Sequence, residues 1–213
     1  MNPVETWRAE AVAKTAVKAL QKNGFQAEYC KTADVAIEKA GSFFKSGLAV
    51  GFGGSMTVRA LGLQDKALAA GCELLDHNAP GLDNDSRMTI LRRQLTCDVF
   101  ICSSNALTLE GELVNVDGNG NRLAALSFGP RKNLVIVGVN KLVRDLDEAF
   151  ARIEQFAGPM NNKRLDKTNP CVKAGECMDC DGDSRICRIY QILKKRPSLS
   201  DFTVLIVGEN LGY

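Results

Sequence analysis

The segment Gly51-Phe52-Gly53-Gly54-Ser55-Met56-Thr57 is the first candidate for chemistry, because it joins an apolar run at 48–50 to a helical pattern. Glycines turn tightly and bring several backbone N–H groups to one point, and the first turn of a helix leaves its N–H groups unpaired. The loop therefore predicts a phosphate or carboxylate site formed by Gly53, Gly54, Ser55 and Thr57. It lacks the glycine-lysine pair of a Walker A motif and the third glycine of a dinucleotide fingerprint. The alternative is a tight turn with Ser55 as N-cap that binds nothing.

A second candidate is the acidic stretch Thr108-Leu109-Glu110-Gly111-Glu112, between two β-like segments. Ligands of open α/β sheets gather beyond the carboxyl ends of the strands, where the glycine loop must also lie. We expect Glu110 to project over the same crevice and to act as nucleophile or general base. The alternative is a solvated turn. The remaining predicted ligand contacts near this crevice are Ser103, Asn105, Gly111 and Asn115, the last of which also suits a turn.

Four cysteines form the third candidate, with the spacing Cys171-x5-Cys177-x2-Cys180-x6-Cys187. Four thiolates suit tetrahedral Zn²⁺ or an iron–sulfur cluster, and ligation would help to order a stretch with almost no core residues. The spacing is not that of a standard ferredoxin run. Reduced thiols, and disulfides formed on oxidation, are the alternatives. The other four cysteines lie in or beside apolar stretches and are expected to be buried small hydrophobes: Cys30, Cys72, Cys97 and Cys102.

The other charged residues receive weaker assignments. His77 is the single histidine, so sites with several histidines are excluded, and a hydrogen-bonded surface position is expected for it. Arg131, Lys132 and Lys141 flank the apolar run 134–139 and could hold a second phosphate or a carboxylate. Solvated charges are the favoured interpretation of all three.

Composition limits the class of protein. The chain has 213 residues, 45% of them hydrophobic and 24% charged, with a net charge of +2. These values are those of an ordinary globular protein and predict one domain over residues 1–213. The charge balance gives no support to a nucleic-acid partner, and no apolar run is long enough to cross a membrane. The first residues lack the pattern of a secretory signal, so we expect a cytoplasmic protein; a homo-oligomer is compatible with the sequence.

Helical and strand patterns alternate along the chain. Apolar residues predict a helix that ends at Asn23-Gly24, strands at 25–30, 48–50, 72–75, 99–103, 134–139 and 202–207, and helices at 33–45, 84–95 and 145–157. This order predicts a three-layer αβα domain with a largely parallel central sheet. We expect the last strand to dock into that sheet.

Two segments depart from the alternation. Short β-like runs at 107–109, 113–116 and 123–126, with Asp117-Gly118-Asn119-Gly120 between the last two, predict a small β-meander with a hairpin turn. Residues 161–190 form a cysteine-rich excursion, irregular over 161–183. The spacing of Ile186, Ile189, Tyr190 and Leu193 predicts a short helix after it.

Residues 48–63, 103–121, 129–142 and the cysteine-bearing tail resemble the LUD (lactate utilisation) domain family. The resemblance implies the fold shared by ribose-5-phosphate isomerases, glucosamine-6-phosphate deaminases and CoA transferases. The loop 51–57 is similar to the phosphate-binding loop of the isomerases, and Glu110-Gly111 is similar in placement to the acid that CoA transferases use as a nucleophile.

The same resemblance implies a role in bacterial L-lactate oxidation to pyruvate, beside iron–sulfur partner proteins. The first hypothesis is thus a protein of lactate or hydroxy-acid utilisation that binds a small anionic ligand at the glycine loop. The second is a non-enzymatic redox or assembly subunit with an iron–sulfur or zinc site held by four cysteines. The third is an enzyme similar to CoA transferases or sugar-phosphate isomerases. The sequence leaves open whether the protein is an enzyme.

Overall fold

The computed structural model describes residues 2–213 and contains ten strands. In chain order they are β1 (Gln26–Cys30), β2 (Ala49–Phe52), β3 (Glu73–Asp76), β4 (Val99–Cys102), β5 (Ala106–Thr108), β6 (Leu113–Asp117), β7 (Lys132–Gly138), β8 (Leu142–Val143), β9 (Ile189–Leu193) and β10 (Asp201–Val207). Six of them form the main sheet in the order β1-β10-β7-β4-β2-β3. Every neighbouring pair in this sheet is parallel. The predicted parallel sheet and the docking of the last strand are therefore confirmed.

Nine helices accompany these strands within residues 2–213. They are α1 (Pro3–Lys22), α2 (Ala33–Gly41), α3 (Met56–Ala60), α4 (Leu63–Ala69), α5 (Asn84–Arg93), α6 (Asn121–Phe128), α7 (Leu146–Arg152), α8 (Gly158–Arg164) and α9 (Cys171–Ala174). A 3₁₀ turn covers Val139–Lys141, and a π-helical segment, Ile153–Ala157, joins α7 to α8. None of the helices in this part of the chain is both long and apolar enough to cross a membrane.

The two faces of the main sheet are covered by different helices. Residues of α1 and α6, such as Leu20 and Leu126, pack on one face. Residues of α2, α3 and α4, such as Ala36, Val58 and Leu63, pack on the other face. Parallel strands buried on both sides read as continuous apolar runs, which explains why the sequence located them. The architecture is the expected three-layer αβα arrangement.

A second, four-stranded sheet has the order β8-β5-β6-β9. It contains the first two runs of the predicted meander, but the third run is a helix, α6, so the predicted third strand is wrong. The Asp117 carboxylate accepts hydrogen bonds from the backbone N–H groups of Arg122 and Leu123, 3.1 and 3.3 Å away. Asp117 thereby satisfies unpaired N–H groups of the first turn of α6. The turn signal at 117–120 marks a helix start and not a hairpin.

The helix predicted from Ile186 to Leu193 is also wrong. Residues Ile189–Leu193 form β9, whose backbone pairs antiparallel with β6 from Asp117 to Leu113. Four apolar residues spread over eight positions fit a helix in isolation, but pairing with β6 decides between the two structures. Residues 161–164, predicted to be irregular, belong to α8, whereas residues 165–188 are irregular except for α9.

Candidate functional site

A cavity of about 310 Å³ opens at the carboxyl ends of the central strands. Its walls include Gly54 and Ser55 after β2, His77 after β3, Ser103 after β4 and Lys141 after β7. Crevices at this edge of an open α/β sheet are the usual ligand sites of such folds. The chain therefore places its principal candidate site where the topology predicts one.

Lys141 is the most unusual residue of the cavity, because its side chain is only 3% exposed and forms no salt bridge within residues 2–213. Its Nζ lies 2.9 Å from Thr57 Oγ1, 3.1 Å from Ser103 Oγ and 3.3 Å from the Ser104 carbonyl oxygen. Thr57 donates its own proton to the Leu211 carbonyl, and Ser103 donates to the Ser104 carbonyl. In its ammonium form Lys141 therefore donates to all three oxygens, so an anion would interact with it through its charge or by displacing one of these bonds.

Burial lowers the pKa of Lys141 from its usual 10.5 to about 7, with the charges of Arg152 and Arg122 as further causes. Desolvation penalises the ammonium form, and nearby like charges add to that penalty. A lysine with a pKa near neutrality in a cleft is a candidate for function. It can hold an anion as an ammonium ion and can exchange a proton near neutral pH.

The charge of the cavity wall is strongly positive. Its lining contains Arg87, Arg122, Lys141, Arg164 and Lys167 against a single side-chain carboxylate, that of Asp117. Asp117 and Arg122 neutralise each other in an ion pair of 2.7 Å. Four basic groups consequently remain without a carboxylate in the wall, and they favour an anionic guest.

Arg122 has a structural role and is not a free ligand contact. Its guanidinium donates to Asp117, to the side-chain oxygens of Asn105 and Asn115, and to the backbone carbonyls of Ser103 and Val116. These bonds use all of its donors. The network fixes the end of β4 against β6 and α6, so it shapes one wall of the cavity.

The predicted ligand-binding residues divide into three groups. Gly54, Ser55, Ser103 and Asn105 line the cavity. Thr57 and Asn115 lie behind the wall, where they hold Lys141 and Arg122. Gly53 is also buried; its N–H bonds to the Ile101 carbonyl at 2.9 Å, and an added Cβ would come 3.0 Å from Cys102 Cβ.

The helix that follows the glycine loop is short. Ser55 Oγ caps α3 by accepting from the Val58 N–H at 3.3 Å, but α3 is five residues long. The helical conformation is interrupted at Gly62, which has a φ of +59° and separates α3 from α4. A five-residue helix is a weak source of dipole charge. The positive potential of the site thus comes mainly from side chains.

Glu110 and Gly111 are not brought to this cavity. Glu110 is exposed on the turn between β5 and β6, and the side-chain nitrogen of Asn23, at the end of α1, donates to its carbonyl at 2.8 Å. Gly111 has a φ of +80°, and an added Cβ would lie 2.6 Å from the backbone of Ala19 and Leu20. The expectation that Glu110 projects over the glycine loop is therefore wrong, and Gly111 serves close packing of the turn on α1.

Sequence reasoning underestimated two residues of the site. Lys141 was expected to be solvated, although it follows the apolar run of β7 directly, a position that leads into the edge of the sheet where ligands bind. His77 was expected at the surface, yet it is buried, and its ring contacts the amides of Gln94 and Asn78 at 3.1 Å. Burial lowers the pKa of His77, so the ring is predominantly neutral at pH 7.

The cysteines fall into two groups, as expected. Cys30, Cys72, Cys97 and Cys102 are buried, and burial raises the thiol pKa of Cys30 and Cys97 to about 11. The other four thiols all line one cleft: Cys171, Cys177, Cys180 and Cys187. All eight are free thiols. Within residues 2–213, no group of three or more histidine, cysteine or acidic side chains is arranged to hold a metal ion.

Comparison with known proteins identifies the family. The chain resembles a solved structure of a DUF162 family protein from Deinococcus radiodurans, with a TM-score of 0.53 and 10% identity over 93% of this chain and 98% of that one. This likeness supports the fold alone. No curated protein matches the chain. The sequence profile of the LUD domain matches residues 13–207, which include every strand and all residues that line the cavity except Tyr213. The chain therefore belongs to the LUD domain family.

Proposed function

We propose that the protein binds a small carboxylate- or phosphate-bearing metabolite in the cavity at Lys141. Membership of the LUD domain family favours a hydroxy acid such as lactate, or the corresponding oxo acid, and a role in the utilisation of such acids. The observation that carries the proposal is a buried lysine without a carboxylate partner at the bottom of a basic cavity.

The energetic argument concerns the cost of that lysine. A buried charge is unfavourable unless it is paired, and the three neutral oxygens around Nζ supply hydrogen bonds but no opposite charge. An anionic guest would supply the missing charge. The free energy that the unliganded protein loses by burying the unpaired ammonium group would thereby be recovered when the anion binds.

A second polar group supports a guest with hydrogen-bonding oxygens. The Tyr213 hydroxyl is buried beside the Arg164 guanidinium, makes no hydrogen bond of normal geometry within residues 2–213, and lines the same cavity. A buried polar atom without a partner costs free energy, which a ligand oxygen would recover. Lys141 and Tyr213 together favour an anion that carries several acceptor oxygens.

Calorimetric titration tests this proposal with L-lactate, pyruvate and inorganic phosphate, and with lactamide as the uncharged control. We expect at least one of the anions to bind and lactamide not to bind. In Lys141→Met, affinity should fall by about 10- to 100-fold, because the anion would lose the ammonium charge and the hydrogen bond that it gains by displacing one of the three neutral oxygens, a contribution of about 1.5–3 kcal/mol. Equal affinity of the variant and the parent, or equal binding of lactamide, would contradict the proposal.

A second candidate function is a non-enzymatic redox or assembly subunit that works with iron–sulfur partner proteins. The four thiols that line one cleft favour it. Metal analysis after anaerobic purification discriminates: several iron atoms per chain with a visible chromophore indicate electron transfer, whereas a chain without iron contradicts that role. A CoA-transferase-like activity loses its candidate nucleophile, because Glu110 lies outside the cavity.

A further inference from the structure

The four cysteines lie at separate positions along the excursion and line one cleft. Cys171 begins α9, Cys177 and Cys180 bracket a turn, and Cys187 precedes β9. Their side chains line one cleft against the π-helical segment and α8, and the backbone N–H of Cys177 bonds to the Glu154 carbonyl at 2.9 Å. Residues far apart in this irregular segment are thus gathered at one point.

The turn between Cys177 and Cys180 has the form that a thiolate ligand needs. The Asp179 N–H donates to Cys177 Sγ at 3.4 Å. Asp179 has a φ of +41°, a left-handed conformation that residues other than glycine adopt infrequently. An amide directed at the first sulfur stabilises negative charge on it, and two residues between the cysteines let both sulfurs reach one ion.

Arg185 supplies the matching positive charge. Its guanidinium donates to the carbonyl oxygens of Cys180 and Cys187 and forms a 2.9 Å ion pair with Asp179. Arg185 therefore links the turn between Cys177 and Cys180 to Cys187. A divalent ion with four thiolates carries a net charge of −2, which a neighbouring guanidinium partly offsets.

The cysteine spacing and the donor set favour a single ion over a cluster. The spacing of Cys171, Cys177, Cys180 and Cys187 is not that of a standard ferredoxin run. The donor set of four soft sulfurs fits Zn²⁺ in tetrahedral geometry. The thiols must draw closer together to ligate it, which the irregular backbone of 175–188 permits.

The same cleft adjoins the anion cavity. Ile186 and Cys187 contribute to both, and so does Gly158 at the start of α8. We propose that Cys171, Cys177, Cys180 and Cys187 bind one tetrahedral Zn²⁺ ion that fixes this wall of the anion cavity. The effect on the cavity rests on the proposed function, whereas the metal site does not.

Anaerobic titration of the reduced, metal-free full chain with Co²⁺ tests the metal site. We expect saturation at one equivalent, with the sulfur-to-cobalt charge-transfer and visible bands of a tetrahedral thiolate complex, and loss of these bands when Zn²⁺ is added. Cys180→Ser should lose the spectrum, and Cys72→Ser, which alters a buried thiol outside the cleft, should keep it. A wild-type chain without these bands, an unchanged Cys180→Ser spectrum, or an iron–sulfur chromophore in protein purified anaerobically would overturn the proposal.

Titration of the anions into the metal-free and zinc-loaded chains tests the coupling. Removal of zinc should weaken anion binding by about tenfold, within the usual range of coupling between sites. Equal affinities would overturn the coupling and leave the metal site standing. If no anion binds either form while cobalt binds, the function proposed for the cavity fails independently of the metal site.

Discussion

Replacement of Lys141 by methionine should stabilise the protein in a pH-dependent way. Burial lowers the pKa of Lys141 from 10.5 to about 7, so the folded chain binds fewer protons than the unfolded chain between these values. Lys141 lowers the free energy of unfolding of the wild-type protein, and this penalty therefore shrinks as pH rises from 7 towards 10.5. The lysine costs about 4 kcal/mol at pH 7 and about 1 kcal/mol at pH 10, since each pH unit corresponds to about 1.4 kcal/mol.

Methionine has a similar length and no charge, and its introduction leaves no donor without a partner, because Thr57 and Ser103 donate elsewhere. Lost hydrogen bonds offset part of the gain. We expect Lys141→Met to be more stable than wild type at pH 7, with an advantage that shrinks by about 3 kcal/mol by pH 10. Urea unfolding at both pH values measures this difference, and the exposed Lys132→Met is the control. An advantage that is independent of pH, or that also appears in Lys132→Met, would refute the reasoning.

Three further predictions follow from the site and the turn beside α1. Anion binding at pH 8 should take up close to one proton, because the guest raises the pKa of Lys141; calorimetry in buffers of different ionisation enthalpy detects this, and a buffer-independent heat would contradict it. Glu110→Gln should leave anion affinity unchanged, and a large loss would return Glu110 to the site. Gly111→Ala should destabilise the fold by about 3 kcal/mol in urea unfolding, because the φ of residue 111 is +80° and an added Cβ would overlap the backbone of Ala19. A change under about 0.5 kcal/mol, which is typical of a surface site, would contradict the packing argument.

The main sheet could be predicted because its strands are buried on both faces. Such strands leave apolar runs, for example at Lys132–Gly138 and Asp201–Val207, and turn residues bound them. The end of α1 could also be predicted, because Asn23 caps the helix where the helical spacing of apolar residues stops. In these segments local preference and tertiary structure agree.

The second sheet could not be predicted in full because distant partners decide it. Residues 123–126 read as a short apolar run, but Asp117 caps a helix there, and the buried side chains of Leu123 and Leu126 lie three residues apart on that helix. Residues Ile189–Leu193 become a strand through pairing with β6, more than 70 positions earlier. Short runs do not reveal such pairings.

The site was predicted in its position and only partly in its residues. The strand ends located the crevice, so Ser55, Ser103 and Asn105 were recognised. Lys141 was underestimated because the burial of a single lysine depends on the residues that pack around it, here Thr57 and the residues after β4. Glu110 was misplaced because the turn between β5 and β6 leans on α1, a contact that has no local signal.

The most direct test of the central claim is the protonation of Lys141 itself. Nuclear magnetic resonance of lysine labelled with ¹³C at Cε, assigned by comparison with Lys141→Met, follows its titration in the absence and presence of the anion that binds. We predict a midpoint near pH 7 in the free protein that moves upward when the anion is added. A midpoint of about 10.4, the value of a solvated lysine, that does not respond to any anion would contradict the account.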